Sequence, residues 1–338
     1  MTLLRVKNLT VRGTDDVALQ SVTFFQRKLE KLAIAGETGA GKSTLMRTIA
    51  GLVQPEEGEL TFERKRIAGP AERLVPGHPG IAYLSQQFEL QKFLRVEQVL
   101  DYANTLSDHE ASTLFEICQI DHLLTRGTDQ LSGGERQRVA ICRLLISAPR
   151  LLLLDEPFTH LDREHKETLK TVVEEIGERL RITIMLVSHD PDDTLSWADR
   201  ILVMRRGKIL QEGSPEEVYN NPVDEYTGGL FGQYNILHPG EFRIVASLIP
   251  ERRLHATAEG RSLFFRPEHF KVVRKSGRAL RAKVEKVSFL GSHWDARIRI
   301  GKKQFQLRTY EKIREGQICY LGLKEEALSF LREGITVQ

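Results

Sequence analysis

The amino-acid sequence predicts an α/β domain followed by a smaller all-β domain. Over the first two thirds of the 338 residues, short apolar runs alternate with amphipathic helical patterns, which is typical of a parallel sheet covered by helices. Beyond residue 235, short runs of alternating polarity separated by glycine favour a barrel-like β domain. The charge changes sign there: 21 Lys and Arg stand against 11 Asp and Glu from Ile236 onward, and 28 against 35 before it. We therefore expect domains at 1–235 and 236–338.

The composition is that of an ordinary globular protein, with 41% hydrophobic and 28% charged residues. A membrane-spanning helix needs about 20 apolar residues in succession, and no stretch approaches that length. The first residues lack the features of a secretory signal, and the three cysteines form neither a disulfide framework nor a zinc motif. We expect a protein that stays in the cytoplasm.

The elements of the first domain follow from its apolar pattern. Buried strands are predicted at 32–35, 81–84, 151–154 and 182–187. Apolar residues at helical spacing predict a crossover helix between 162 and 180. The stretch 88–147 has helical patterns without a strong strand, so we predict an all-helical insertion there. Ser214 and Pro215 begin a short helix that closes the domain.

The second domain follows a stretch rich in Gly, Asn and Pro between 220 and 232. Its predicted strands are at 263–265, 282–289, 296–300 and 304–307.

A phosphate-binding loop follows the strand predicted at 32–35 and opens a helix. Its residues are Gly36, Glu37, Thr38, Gly39, Ala40, Gly41, Lys42, Ser43 and Thr44. Glycines let successive backbone N–H groups point at phosphate oxygens, and the helix N-terminus adds a favourable dipole. Lys42 is expected to reach the β and γ phosphates of ATP, and Ser43 to bind Mg²⁺. A glycine-rich turn with this pattern arises by chance on the order of once in a hundred such chains.

Two carboxylates stand directly after the apolar run 151–154. Open α/β sheets bind ligands at the C-terminal ends of their strands. Asp155 is therefore a candidate Mg²⁺ ligand, and Glu156 is placed to orient or deprotonate the attacking water. Two acids at a strand end usually form only a solvated turn, but the phosphate loop favours the catalytic interpretation.

The segment LSGGERQR, residues 131–138, contains a second glycine pair. Its Ser132 and Glu135 form a capping-box pattern, which does not explain two successive glycines. Together with the phosphate loop, this segment resembles the signature of ATP-binding cassette (ABC) proteins. The resemblance implies a P-loop NTPase cassette, with a mixed sheet and a helical subdomain at about 88–147. It also implies contacts to the γ-phosphate held by a second copy of the chain, from Ser132, Gly133, Gly134, Glu135, Gln137 and Asp162.

Further positions match the same family. Gln86 stands where the family's Q-loop glutamine touches Mg²⁺ and couples to the membrane subunit, and His189 resembles the switch histidine. The resemblance thus implies that Glu156, His189 and Gln86 are catalytic, and that Ser43, Gln86 and Asp155 hold Mg²⁺. Phe88, Leu90, Phe93 and Leu94 either receive a helix of a membrane permease or pack inside the helical subdomain.

The second domain carries a weaker resemblance. Residues 262–270, with the sequence Arg266-Pro267-Glu268, are similar to the oligomer-binding-fold (TOBE-like) extension of importer ATPases for maltose, polyamines, ferric iron, sulfate and molybdate. The resemblance implies an importer ATPase that binds ATP and Mg²⁺ and dimerises. It also implies a separate permease, an extracytoplasmic solute-binding protein acting through it, and a peripheral position on the cytoplasmic face of the membrane. Among possible transported solutes, the resemblance favours polyamines, ferric iron or inorganic anions over sugars.

Three questions stay open in the sequence. Members of the family usually stack an aromatic side chain on adenine where 11–14 stand; here Arg12 either stacks on the base or is a surface charge. The second domain is either regulatory or braces the dimer. The alternative function is a basic barrel that binds nucleic acid through Phe264, Phe265 and Phe270 beside Arg261, Arg266, Lys271 and Arg274; we expect no nucleic acid.

Overall fold

The computed structural model describes residues 1–13, 17–86, 90–102, 104, 106–248, 261–324 and 329–331. The chain divides into two compact units, Met1–Pro215 and Glu216–Gln338. Two clusters of buried apolar side chains form the core of the first unit, and a third forms the core of the second.

The first unit contains most of the regular structure. Its strands are β1 (Thr2–Arg12), β2 (Val17–Arg27), β3 (Lys31–Ala35), β4 (Glu57–Phe62), β5 (Lys65–Arg66), β6 (Ile81–Leu84), β7 (Leu151–Asp155), β8 (Thr183–Val187), β9 (Arg200–Arg205) and β10 (Lys208–Gly213). Its helices are α1 (Lys42–Ile49), α2 (Val96–Asp101), α3 (Asp108–Cys118), α4 (Gly133–Leu145), α5 (Arg163–Arg179) and α6 (Pro191–Leu195), and α7 (Pro215–Asn220) begins at its end.

A six-stranded sheet in the order β10-β9-β3-β8-β7-β6 positions the site. The four pairs from β9 to β6 are parallel, and β10 pairs antiparallel with β9. The side chains of Leu151–Leu154 are fully buried, as expected for a strand covered on both faces. Because parallel strands end at the same edge of a sheet, the segments after β3, β6, β7 and β8 meet there. The predicted mixed sheet is confirmed.

A second, antiparallel sheet of the first unit has the order β2-β1-β4-β5. Its buried side chains pack with those of β3, α1 and β7 in one core cluster. The sheet therefore brings the start of β2 beside the phosphate loop.

Helices fill the part of the chain between β6 and β7. The described residues there form α2, α3, α4 and short helical turns, with no strand among them. Ser107 and Ser132 cap α3 and α4 by accepting hydrogen bonds from the backbone N–H of Glu110 and Glu135. Leu90 is buried and Leu94 partly buried, whereas Phe93 is 84% exposed; Phe88 lies outside the described residues.

The second unit is mainly β structure. Its elements are α8 (Glu225–Leu230), β11 (Asn235–Leu237), β12 (Ser262–Phe265), β13 (Phe270–Val273), β14 (Leu280–Phe289), β15 (Trp294–Ile300), β16 (Lys303–Thr309), β17 (Ile318–Leu323) and β18 (Ser329–Leu331). They form a five-stranded sheet, β13-β17-β14-β15-β16, and a three-stranded sheet, β11-β12-β18.

Arg266 explains why the boundary lies near 215 rather than near 235. Its guanidinium is fully buried and donates hydrogen bonds to backbone carbonyl oxygens of Tyr219 (2.9 Å), Gly228 (2.9 Å), Gly232 and Gln233 (both 3.2 Å). The ring of Tyr219 lies below it, 4.1 Å from centroid to guanidinium carbon. The breaker-rich stretch is thereby fixed to the second unit.

Four of the residues proposed for nucleic-acid binding are buried. Phe264, Phe265 and Arg266 are fully buried, and Phe270 is 2% exposed. The apolar rings pack in the core, and the guanidinium of Arg266 donates its hydrogen bonds to backbone carbonyl groups. These side chains are therefore not available for nucleotide bases to stack on. These four residues therefore do not support the alternative function.

None of the helices described here is both long enough and apolar enough to cross a membrane.

Candidate functional site

The phosphate loop connects β3 to α1 in a conformation that needs glycine. At Gly36 a Cβ atom would lie 2.4 Å from the carbonyl oxygen of Met204, and at Gly41 it would lie 2.6 Å from that of Ala18. Gly41 also has a φ of 99° and forms the N-cap of α1. The tight fit holds the loop against neighbouring strands, with the N-terminus of α1 facing the loop.

The side chain of Lys42 lies across this loop. Its Nζ donates hydrogen bonds to the carbonyl oxygens of Gly36 (2.8 Å) and Glu37 (2.9 Å), and the residue is 6% exposed. Burial lowers the pKa of Lys42, while the negative charges of Glu156 and Asp155 oppose that shift. The positive charge of Lys42 therefore interacts with the two carboxylates at the end of β7.

The remaining loop residues surround this lysine. Glu37, Thr38 and Gly39 are exposed, Ser43 and Thr44 are partly buried, and Ala40 is buried. The carbonyl oxygen of Ala40 accepts a hydrogen bond from the N–H of Gly207. The exposed part of the loop is the part available to a ligand.

Asp155 ends β7 and is 2% exposed. Its Oδ2 accepts a hydrogen bond of 2.9 Å from the hydroxyl of Tyr83 on the neighbouring strand β6. Burial, and then the charge of Asp155, raise the pKa of Tyr83, so the phenol stays protonated as a donor. Sequence reasoning did not identify Tyr83, which fixes one oxygen of Asp155.

Glu156 follows with a strained backbone. Its φ of 52° is unusual for a residue other than glycine, and its N–H donates to the carbonyl oxygen of Val187 at the end of β8. This bond ties the turn after β7 to the turn after β8. The strained turn thereby fixes where the carboxylate points.

Three side chains converge on one oxygen of Glu156. Oε2 lies 3.2 Å from Nε2 of Gln86, 3.2 Å from Nδ1 of His189 and 3.3 Å from the hydroxyl of Thr159. The structure thus brings together the three residues predicted to be catalytic, and adds Thr159 as a further contact of the carboxylate. The other oxygen, Oε1, has no such contact from the described part of the chain.

The segment after His189 is held by α5. Lys166 pairs with Asp190 and, at 2.7 Å, with the buried Asp193; Lys170 also pairs with Asp193, at 3.0 Å. The hydroxyl of Ser188 donates to Asp193. These contacts hold in place the segment of backbone that carries His189.

The glycine-pair segment lies against the start of α5. Asp162 caps α5, and its carboxylate lies 2.8 Å from Nδ1 of His165. Nε2 of His165 lies 3.5 Å from the hydroxyl oxygen of Ser132, and a Cβ at Gly134 would lie 2.5 Å from the ring. Ser132, Gly134 and Asp162 are thus one cluster within the chain, and Glu135 closes the capping box by accepting from the N–H of Ser132.

Two predicted site residues have partners within the same chain. Gln137 is buried, and its side-chain amide donates to the carbonyl oxygen of Pro157, next to Glu156. Arg12 is exposed and forms an ion pair of 3.2 Å with Glu56. The backbone of Arg12 also pairs with Val17, the first residue of β2, and the carbonyl oxygen of the next residue, Ala18, lies against Gly41 of the phosphate loop.

Comparison with known proteins agrees with this geometry. The model of a family described as "ABC transporter" matches residues 19–159, and that of the "TOBE domain" matches 263–331. The chain belongs to the ABC transporter family. As an ABC protein it binds ATP and is an ATPase, and both predictions are confirmed.

Relatives of this ABC protein extend over most of its length. The spermidine/putrescine import ATP-binding protein PotA of Clostridium acetobutylicum is 27% identical over 98% of this chain and 97% of its own. The glucose import ATP-binding protein GlcV of Saccharolobus solfataricus is 38% identical over 65% of each chain. The dimeric, post-hydrolysis structure of the ATP-binding cassette MJ0796 with ADP and Pi has a TM-score of 0.54 and 25% identity, over 63% of this chain and 99% of that one.

The ABC site suits a nucleotide and Mg²⁺. Gly36 and Gly41 let the loop pack directly against the carbonyl oxygens of Met204 and Ala18, which fixes its backbone, and backbone N–H groups of such a loop suit phosphate oxygens. Ser43, Gln86 and Asp155 offer a hydroxyl, an amide and a carboxylate, the oxygen donors that Mg²⁺ prefers. No cluster of three or more His, Cys, Asp or Glu side chains suited to a metal occurs in the residues described. A protein commonly supplies only one or two carboxylate ligands to Mg²⁺ when phosphate oxygens and water molecules provide the others.

Proposed function

We propose that this ABC ATPase drives the import of a solute by hydrolysing Mg-ATP between two copies of itself. The convergence of Gln86, Thr159 and His189 on Oε2 of Glu156 carries this proposal. A carboxylate held this way presents its other oxygen in a fixed direction, as the positioning of an attacking water requires.

Different residues of the chain bind Mg²⁺, bind the phosphates and position the attacking water. Ser43, Gln86 and Asp155 would hold Mg²⁺, which neutralises charge on the phosphates when bound. The phosphate loop binds the phosphates with backbone N–H groups, and Lys42 turns from its carbonyl partners to phosphate oxygens. Glu156 orients water through Oε1 and accepts its proton, and His189 steadies Oε2.

A second copy completes the site. Ser132, Gly134 and Asp162 each contact His165, so this cluster is built as a unit beside α5. We assign it, with Gly133 and Glu135, to the γ-phosphate bound by the partner. The dimeric state named for the related cassette MJ0796 supports this arrangement.

The partner in the membrane would be a separate permease, served from outside by a solute-binding protein. Both curated relatives described above are import ATP-binding proteins. We place the chain on the cytoplasmic face of the membrane. PotA, a spermidine/putrescine import ATP-binding protein, matches both units, which favours polyamines. GlcV, a glucose import ATP-binding protein, has the higher identity but over a shorter part of this chain.

The hydrolysis proposal is tested with Glu156→Gln. This variant should bind ATP and form a lasting dimer, with turnover reduced at least a hundredfold. Glu178→Gln, an exposed change on α5, is the matched control and should behave as wild type. Normal turnover in Glu156→Gln would overturn the role of Glu156.

The transport proposal is tested by purifying Glu156→Gln with ATP from solubilised membranes of its native cell. A multispanning permease should co-purify, and its identity would narrow the solute. Recovery of nucleic acid or ribosomes without a permease would favour the alternative function instead.

A further inference from the structure

His165, the third residue of α5, links two parts of the cluster that are separate in the sequence. Its Nδ1 lies 2.8 Å from the carboxylate of Asp162, and its Nε2 lies 3.5 Å from Oγ of Ser132. The side chain is 35% exposed. The ring therefore stands between the carboxylate that caps α5 and the hydroxyl that caps α4.

The donors and acceptors in this chain of contacts can be assigned. The backbone N–H of His165, and then its ring, lower the pKa of Asp162, so its carboxylate is ionised and accepts only. Nδ1 of His165 must then carry the hydrogen, and in a neutral ring Nε2 is an acceptor. Oγ of Ser132 already accepts from the N–H of Glu135. The hydroxyl hydrogen of Ser132 then has two acceptors within reach, Nε2 of His165 and the carboxylate of Glu135, whose pKa the Ser132 side chain helps to lower.

The absence of a side chain at Gly134 makes this contact possible. A Cβ there would lie 2.5 Å from Cδ2 and 2.9 Å from Cγ of His165. Gly133 is different, because its nearest neighbour would be Leu161, 3.9 Å away. The second glycine therefore makes room for the ring of His165 within the same chain.

We propose that His165 is a positioning residue that restrains the hydroxyl of Ser132, directing its hydrogen away from the nucleotide of the partner until Asp162 and His165 shift. This inference rests on the proposed function, in which Ser132 contacts the γ-phosphate bound by the second copy. That phosphate competes for the hydroxyl hydrogen with Nε2 of His165 and with the carboxylate of Glu135. The restraint links the position of Asp162, at the start of α5, to the availability of the Ser132 hydroxyl for that phosphate.

Three substitutions in the Glu156→Gln protein separate the contacts of the ring. His165→Leu removes both contacts. His165→Asn keeps a polar group near Asp162 but is too short to reach Ser132, and His165→Gln can place an acceptor near the position of Nε2. The readout is the ATP concentration for half-maximal dimerisation, measured by light scattering.

A long hydrogen bond of this kind contributes at most about 1 kcal/mol, or roughly a fivefold change in an equilibrium. His165→Leu and His165→Asn should lower the half-maximal ATP concentration about two- to fivefold, and His165→Gln should restore the parental value. In a Ser132→Ala background the effect of His165→Asn should disappear, because the restrained hydroxyl is gone.

Two results would overturn the inference. An equal effect of His165→Asn with and without Ser132→Ala, or no effect in either, would show that the ring does not act through the hydroxyl. If the Glu156→Gln parent itself fails to dimerise with ATP, the proposed function fails and the inference fails with it. A parent that dimerises therefore isolates the result for His165.

Discussion

The hydroxyl of Tyr83 donates a hydrogen bond of 2.9 Å to Oδ2 of Asp155, across the parallel strands β6 and β7. Tyr83 is thus a second layer of support for a carboxylate that we assign to Mg²⁺. Groups in this position orient a metal ligand without touching the metal.

We predict that Tyr83→Phe raises the Mg²⁺ concentration needed for half-maximal ATPase activity about tenfold, because Asp155 loses its orienting donor. The measurement is a Mg²⁺ titration of turnover at saturating ATP. Tyr102→Phe is the control, since Tyr102 is 87% exposed and lies in the helical part of the unit. An unchanged Mg²⁺ dependence in Tyr83→Phe would contradict the role of Tyr83.

The two signature glycines should respond differently to alanine. Gly134→Ala forces a Cβ to 2.5 Å from the ring of His165, and we expect a loss of about 1–3 kcal/mol in the free energy of unfolding. Gly133→Ala meets only Leu161 at 3.9 Å and should be neutral or slightly stabilising. Urea unfolding of both variants tests this. The Gly134→Ala loss should shrink in a His165→Ala background; equal losses in both backgrounds would rule out the steric cause.

Arg266 should dominate the stability of the second unit. Arg266→Met leaves several buried carbonyl oxygens without a donor, so we expect a loss of about 3–5 kcal/mol in its unfolding. Arg266→Lys should recover little, because an ammonium cannot reproduce the planar fork of donors. Arg274→Met, at an exposed position, is the control and should stay within about 0.5 kcal/mol of wild type. Calorimetry of the full chain measures these changes.

Acid should destabilise the first unit partly through Glu30, which is 8% exposed. Burial alone would raise the pKa of Glu30, but hydrogen bonds from Arg200 and from the N–H of Arg27 lower it overall. A lowered folded-state pKa contributes stability above the unfolded value of 4.5, and this is lost as the pH falls below it.

The free energy of unfolding should therefore fall less steeply below pH 4.5 in Glu30→Gln than in wild type. Denaturant unfolding at a series of acidic pH values gives the slopes. Arg200→Met should lose the same contribution, because burial then acts on Glu30 without its main donor. Identical slopes in wild type and Glu30→Gln would show that Glu30 has no part in acid unfolding.

The central sheet was predictable because its strands contrast sharply with their surroundings. The run before Asp155 is wholly apolar and buried, and the phosphate loop follows β3 directly. The antiparallel sheet of β1, β2 and β4 was not predicted. Its register shifts near Leu9 and its residues Asn8 and Ser21 have positive φ, so the alternation of polar and apolar residues is interrupted.

The candidate site was predictable where a motif is local and hidden where contacts are distant. The carboxylates and phosphate loop are short runs of the sequence. Tyr83 and Asp155 are 72 positions apart, and His165 and Ser132 are 33 apart, so no local pattern marks either pair. A histidine three residues after an N-capping aspartate was the one local signal for His165. The buried contact of Gln137 with Pro157 likewise depends on the packing of α4 near β7.

The attachment of the stretch 219–233 to Arg266 sets where ABC ATPases of this type can be recombined. A chimaera that borrows its second unit from another importer has to be spliced near residue 215, where the units separate. A junction at 235 would take the carbonyl acceptors from one parent and the guanidinium from the other. Evolutionary exchange of these units faces the same constraint, so the stretch rich in Gly, Asn and Pro should be inherited together with the β domain that binds it.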